Sequence, residues 1–259
     1  MGVPARPHVL ILGGSTQARH LTEALADQVA ITLSLAGTTL HSQTELAPSV
    51  TVRRGGFGGV HGLISFLRTY QVRAVIDATH PYAATMHANV AAASQDAQIP
   101  HLRLDRPAWT PPPDATWIEV DGGEEAVAHV RAHHWQRVFV TTGRTYLEPW
   151  MGLGQAITVV LRSIDPADTT GIDRVETITQ RGPFKYEDEL AILERCDALV
   201  TRNAGGDDAK IRAAVATQTP ILVWRRPPPP PGPLVMSVHA AVTWLHNVLG
   251  QEELLKGTR

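Results

Sequence analysis

Glycines and small hydroxyl residues collect directly after the apolar runs of this chain, a placement suited to holding a phosphate. HVLIL is followed by Gly13, Gly14, Ser15 and Thr16, with Arg19 a turn further on. The next runs end in Ser34, Leu35, Ala36 and Gly37, then in Gly55, Gly56, Phe57, Gly58 and Gly59, and then in Thr79, His80 and Pro81. Glycine lets backbone N–H groups approach a phosphate closely, and a helix starting just behind adds partial positive charge. Any one such turn is also explained by chain reversal alone, so the weight lies in its repetition at run after run. The first turn departs from the G-x-G-x-x-G dinucleotide template, because Ser15 and Ala18 stand where the second and third glycines would fall.

A site for NAD places a carboxylate about 20 residues past its glycines, where it binds the ribose 2′-hydroxyl. Ser34 occupies that place, and Ser34, Thr38 and Thr39 can donate hydrogen bonds, so the pattern favours NADPH, with Arg53 or Arg54 supplying positive charge. His80 is the catalytic candidate, placed to contact the cofactor or deliver a proton. With no carboxylate partner visible beside it, a structural or cofactor-positioning role suits it better than catalysis. Asp77 suits bonds to neighbouring backbone, and Tyr82 is a candidate acid. His129 and His133 have the i,i+4 spacing of a metal pair but lack the H-E-x-x-H pattern and a third ligand, so they read as a solvated helix face and no metal is expected.

The elements that must position these residues alternate. Runs without polar alternation, such as VLIL, ITLSL and AVID, are separated by helical patterns, and such runs belong to parallel sheets covered on both faces. The expected fold is α/β, with two Rossmann-like doubly wound units of mainly parallel strands and a ligand cleft between them. The proline-rich RPAWTPPP at 106–113 marks the boundary, giving domains 1–113 and 114–259, the second with the C-terminal helix; RPPPPPGP at 226–233 reads as a stiff surface connector.

Composition narrows the partners. A chain of 259 residues with net charge −2 has no general attraction to nucleic acid or anionic membrane, so an anionic ligand must be held by locally gathered cations. Residues 1–6 are too short and polar for a signal peptide and no apolar run suits a membrane span, so a cytoplasmic protein is expected. Cys196 is the sole cysteine, which excludes an intrachain disulfide and reads as a small hydrophobe.

ILGGSTQAR, SLAG, RRGGFGG, VIDATHPYA, PHLRLDRPAW, VTTGR, RGPF, VTRNAGG and PILVWRRP, in this order from about residue 8 to residue 230, resemble the precorrin-6A reductase family of cobalamin biosynthesis. GGFGG followed by DATHP is the most specific part. Arg202 stands where a lysine is expected and Gln17 where a glutamate is common. The resemblance implies hydride transfer from NADPH to a conjugated double bond of the precorrin-6A macrocycle, giving precorrin-6B. It also implies cofactor contacts from the turns of the first unit, Gly13 to Arg19 being the pyrophosphate turn. The tetrapyrrole carries several carboxylates, and Arg144, Arg181, Lys185, Asn203 and Lys210, with Arg202, lie in or beside the turns of the second unit, where they would bind it. A two-domain nucleotide-sugar transferase and a non-enzymatic NADPH sensor are the alternatives; a melting shift with nucleotide-sugar, or no NADPH oxidation with tetrapyrrole, would select them.

Overall fold

The computed structural model describes residues 6–36 and 47–256. The first half runs β1 (His8–Leu12), α1 (Thr16–Leu25), β2 (Ala30–Leu35), β3 (Val50–Arg54), α2 (Gly59–Thr69), β4 (Val72–Asp77), α3 (Ala84–Ala97) and β5 (His101–Leu104). There follow β6 (Trp117–Val120), α4 (Gly123–Ala132), β7 (Arg137–Val140), a 3-10 turn at Glu148–Trp150, β8 (Thr158–Ser163) and β9 (Val175–Thr179). The chain ends with α5 (Tyr186–Leu193), β10 (Ala198–Arg202), α6 (Ala209–Ala216), β11 (Ile221–Trp224), β12 (Leu234–Val235) and α7 (Val238–Lys256). No helix among the described residues is long and apolar enough to cross a membrane.

Two six-stranded sheets result, ordered β12-β5-β4-β1-β2-β3 and β6-β11-β10-β7-β8-β9, with every neighbouring pair parallel. The first is the doubly wound order 3-2-1-4-5-6 of dinucleotide-binding sheets, with β12 in the sixth place. The second repeats that order from β7 onward, and β6, which precedes β7 in the chain, takes the sixth place.

Strand alternation explains the unbroken apolar runs. In β1, Val9 and Ile11 pack with Leu21 and Leu25 of α1 and with Ala241 and Leu245 of α7, while Leu10 and Leu12 pack with Leu63 and Leu67 of α2 and Val90 of α3. Each leucine buried in this way contributes about 1.5–3 kcal/mol. In the second sheet Phe139, Leu199 and Val223 pack with Leu193 of α5 and Ile211 and Ala214 of α6. Val138, Val140 and the inward side of α4 are buried as well.

The compact units differ from the expected division at residue 113. One holds the chain up to Arg106 and again from Pro227, and the other holds Pro107–Arg226. The C-terminal helix therefore belongs to the first unit. Leu234 and Val235 extend its sheet beside Arg103 and Leu104 of β5, and Ala241 and Leu245 of α7 are fully buried in its core. The proline-rich 226–233 segment thus leads into a strand rather than only connecting to a helix. At the other crossing, Trp109 joins the second unit because Asn203 clamps its backbone, Oδ1 accepting from its N–H at 2.8 Å and Nδ2 donating to its carbonyl at 3.0 Å.

Candidate functional site

In open α/β sheets ligands bind beyond the carboxyl ends of the strands where the strand order reverses, between β1 and β4 in the first unit. Register brings three strand ends level there. Leu12 lies opposite Ser34 and Asp77, Gly13 N–H donates to the Ser34 carbonyl at 2.9 Å, and Ala78 N–H donates to the Leu12 carbonyl at 2.8 Å. Gly13 has φ +120°, and a Cβ on it would lie 2.5 Å from the Ala78 carbonyl oxygen, so only glycine lets β1 end this close to β4. Ser15 caps α1: its Oγ accepts from Ala18 N–H at 3.1 Å and donates to the Ala78 carbonyl at 2.9 Å. The hydroxyl is thereby engaged in the turn itself, leaving backbone N–H groups as the donors the turn can offer. The opening N–H groups of α1 have no intrahelical partner, and its first turn carries no acidic residue to compete with an anion. Gly14 and Thr16 are exposed, and a Cβ on Gly14 would meet nothing nearer than Leu35 Cδ2 at 3.6 Å. The space above the turn is open, as a pyrophosphate cradle requires. Arg19 is exposed and ion-paired with Glu23 at 3.0 Å.

The turn after β2 separates a buried serine from an exposed alanine. Ser34 is only 5% exposed and stops short of the strand end, whereas Ala36 is exposed; Gly37, like Thr38 and Thr39, lies outside the described residues. Leu35 packs into the core beside α1. Of the two arginines on β3, Arg53 is committed to its own loop. Its guanidinium donates to the Gly55 and Gly56 carbonyls at 2.5 and 2.6 Å and stacks 3.9 Å from the centre of the Phe57 ring. Arg54, exposed at the end of β3 and level with Leu35, is the cation beside the β2 turn. Gly55, Gly58 and Gly59 have positive φ, and at all of Gly55, Gly56, Gly58 and Gly59 a Cβ would meet nothing within 4 Å. Gly62 escaped the sequence reading, yet a Cβ there would strike the Phe57 carbonyl, which packs GGFGG onto α2.

After β4 the carboxylate that seemed to be missing is present, but it serves another histidine. Asp77, 3% exposed, accepts from Thr79 N–H at 3.0 Å and Thr79 Oγ1 at 2.6 Å, and its Oδ2 lies 2.6 Å from Nδ1 of His87 on α3. Burial pushes the Asp77 carboxyl upward, but the hydrogen bonds from His87 and Thr79 prevail and hold it below the ordinary carboxylate value. His80 is half-buried, its Nδ1 accepts from Tyr82 N–H at 3.3 Å, and its carbonyl accepts from Ala83 N–H, so it shapes the turn into α3. Pro81 is buried beside it. Asp77→Asn is expected to destabilise the protein by about 1–3 kcal/mol in urea unfolding at neutral pH. Because the folded-state value is lowered, this contribution is present above the unfolded value of 3.8 and is lost as the pH falls through the folded one. The gap between wild type and variant should therefore close in acid; a gap constant down to pH 3 would contradict it.

In the second unit the corresponding reversal lies between β7 and β10. The Thr141–Arg144 turn leads to a 3-10 turn instead of a helix, so the helix start at this reversal is that of α6, after β10, and the β7 turn offers side-chain charge. Arg162, next to last in β8, forms an ion pair with Glu189 of α5, the side chains being 4% and 0% exposed, and stacks 3.7 Å from the centre of the Phe184 ring. Breaking such a buried pair costs about 3–5 kcal/mol. Arg202 ends β10 with its guanidinium 5.2 Å from the Tyr146 ring centre, and its Nη2 passes so close to Gly143 that a Cβ there would lie 3.5 Å away. Lys210, on the first turn of α6, donates from Nζ to Thr141 Oγ1 at 3.3 Å and lies 5.1 Å from the centre of the Trp109 ring. Burial of its amine, and then the nearby Arg162 and Arg202 guanidiniums, push its pKa down to about 7 against the opposing pull of Glu189 and Asp207.

Of the residues expected to bind substrate, Arg144 follows β7 and Lys210 opens α6 after β10, the two strands of this reversal. Arg181 and Lys185 are exposed but follow β9 at the sheet edge, two strand spacings away from β7, or roughly 10 Å. Asn203, the remaining one, holds Trp109 with both ends of its amide. Arg162, Glu189 and His87 went unread in the sequence. For Arg162 the available signal was a lone arginine inside the apolar run TVVLRS.

Residues 8–246 match the family described as Precorrin-6x reductase CbiJ/CobK. Among curated relatives, a protein named precorrin-6A reductase from Rhodococcus erythropolis is 40% identical, covering 92% of this chain and 96% of that one. Its namesake from Mycobacterium tuberculosis is 38% identical with the same coverage, and the cobalt-precorrin-6A reductase of Salmonella typhimurium is 27% identical over 85% of this chain and 88% of its own. The solved structure of a CobK precorrin-6A reductase superposes with a TM-score of 0.84 at 31% identity, covering 93% of this chain and 97% of that one. The chain belongs to the precorrin-6x reductase CbiJ/CobK family.

Proposed function

We propose that this protein is a cytoplasmic, NADPH-dependent precorrin-6A reductase that holds its cofactor on the first unit and the carboxylates of the tetrapyrrole on the second. One observation carries the division of labour: the two reversals share a strand order but not a chemistry. The first ends in glycines before a capped helix with no acid in its first turn, whereas the second gathers the cations Arg144, Arg202 and Lys210, the last on the opening turn of α6. An open glycine turn suits a pyrophosphate, and separate cations suit a polycarboxylate. Family membership selects a reductase over the transferase and the sensor. Relatives named for precorrin-6A reach 40% identity and those named for the cobalt form 27%, which favours the metal-free macrocycle.

NADPH, when bound, supplies the hydride for a conjugated double bond of the ring. The residues of this chain do the rest. Backbone N–H groups of Gly14 to Thr16 bind the pyrophosphate, and Arg54 binds the 2′-phosphate at the end of β3. The turn from Thr79 to Pro81, braced by Asp77 and His87, borders the same reversal and orients the reacting end, with His80 as a positioning group. Arg144 and Arg202 bind substrate carboxylates.

Steady NADPH oxidation on addition of precorrin-6A tests the activity; none at all would overturn it. Arg54→Ala is expected to weaken NADPH binding about tenfold or more, the worth of one charge-assisted contact, and to leave NADH affinity unchanged in a fluorescence titration. Equal losses for both cofactors would remove Arg54 from the 2′-phosphate. Aspartate at Ser34 is the poorer test, because that side chain is buried and the new charge would strain the fold.

A further inference from the structure

We propose that Arg53 is a positioning residue for the cofactor: without touching it, the guanidinium fixes the shape of the Gly55–Gly59 loop that receives the adenosine end. The proposal rests on the reductase reading above and lies wholly within the first unit. In a doubly wound sheet the pyrophosphate sits at the start of α1 and the adenosine ribose over the end of β2. The turn after β3, the next strand outward, therefore borders the adenine.

The loop needs help to hold one shape. Four of its five residues are glycine, the residue that loses most conformational freedom when fixed, and Gly55, Gly58 and Gly59 have positive φ. At each of the four a Cβ would meet nothing within 4 Å among the described residues, so packing around the glycines does not set the shape. Arg53 supplies the hold. Its two terminal nitrogens donate to the Gly55 and Gly56 carbonyls at 2.5 and 2.6 Å, a planar two-pronged grip that an ammonium does not reproduce. The fork is kept in place by two rings, the centre of Phe57 lying 3.9 Å away and that of Phe66 on α2 5.8 Å away. The two rings meet edge to face at 5.2 Å, and α2 comes so close at Gly62 that a Cβ there would strike the Phe57 carbonyl.

Peptide planarity turns this grip into an orientation. In a trans peptide the carbonyl and the following N–H point in opposite directions, so capture of the Gly55 and Gly56 carbonyls directs the N–H groups of Gly56 and Phe57 away from the guanidinium. Those N–H groups are donors for the acceptor atoms of the ribose and the purine. Successive strand residues point to opposite faces of a sheet, so Arg53 and Arg54 cannot share a task. Arg54 reads the 2′-phosphate, which NADH lacks; Arg53 shapes a loop that serves the adenosine common to both cofactors.

The test titrates NADPH, NADH and ADP-ribose calorimetrically into wild type, Arg53→Ala and Arg53→Lys, each well below its own Tm and checked for folding by circular dichroism. Arg53→Ala should weaken all three about tenfold, because each ligand must then order the loop as it binds. ADP-ribose lacks the nicotinamide, so an equal loss for it places the effect in the adenosine half, which a general loss of stability would not do. Arg53→Lys keeps the charge yet should not restore affinity, which separates the grip from the charge. Hydrogen exchange at Gly55–Gly59 without cofactor should quicken in both variants. A loss confined to NADPH would make Arg53 a direct contact of the 2′-phosphate and overturn the positioning role. Recovery of affinity by lysine, or unchanged affinity in Arg53→Ala, would overturn it as well. A wild type that binds neither NADPH nor NADH would overturn the reductase reading, and the role of Arg53 with it.

Discussion

Gly14→Val leaves the protein folded and abolishes NADPH binding. The backbone at Gly14 is not in the left-handed region, and a Cβ there meets only Leu35 Cδ2 at an ordinary 3.6 Å, so the fold accepts the side chain. The cofactor does not, because the branched side chain fills the open space above the opening N–H groups of α1. Losing two charge-assisted bonds to the pyrophosphate costs about 3–6 kcal/mol, more than a hundredfold in affinity. Gly13→Ala is the contrasting control. It places a methyl group 2.5 Å from the Ala78 carbonyl at φ +120°, and strain of about 1–3 kcal/mol should lower Tm by several degrees. Adjacent glycines thus fail in opposite ways, one in binding and one in stability, as isothermal titration and thermal melts will read separately. A folded Gly14→Val variant with normal NADPH affinity would reduce the turn to a structural element.

Arg144→Ala raises KM for the tetrapyrrole tenfold to a hundredfold and leaves NADPH affinity unchanged. Arg144 is exposed on the turn after β7, which is followed by a 3-10 turn rather than a helix of its own. A partly desolvated charged contact is worth about 1.5–3 kcal/mol, which sets the range. The effect should shrink as salt is raised, since the screening length falls from about 8 Å at physiological ionic strength to about 3 Å at 1 M. Loss of NADPH binding with normal KM would mean that the two units exchange their roles. No change in either quantity would make Arg144 a solvated surface charge.

Much of the architecture was legible because parallel strands buried on both faces must be apolar throughout. VLIL, ITLSL and AVID announce such strands, and the turns after them could be placed to the residue. The cationic turn at Thr141–Arg144 was visible in the same way, as was the lysine at 210. What escaped were contacts between residues distant in the chain. His87 gave no sign that it would take Asp77 as partner, so the search for a carboxylate stopped at His80. Arg162 went unread because its partner Glu189 lies 27 residues on, in a helix that packs on the sheet. Asn203 read as a ligand residue because a turn amide is an ordinary ligand; its engagement with Trp109, 94 residues away, appears only in the fold.

By itself the sequence determined the repeating strand-turn-helix order, the phosphate-suited glycines and the family. Those follow from local physics, since hydrophobic period, glycine conformational freedom and motif spacing are properties of neighbouring residues. Tertiary structure alone decided that the last helix returns to the first sheet, because Leu234 and Val235 find an open strand edge at β5 and α7 finds the apolar face above it. It also decided the protonation chemistry of Lys210. An amine is shifted by what surrounds it, and Arg162, Glu189 and Arg202 reach it from separate strands and a helix, positions whose distances no linear spacing contains.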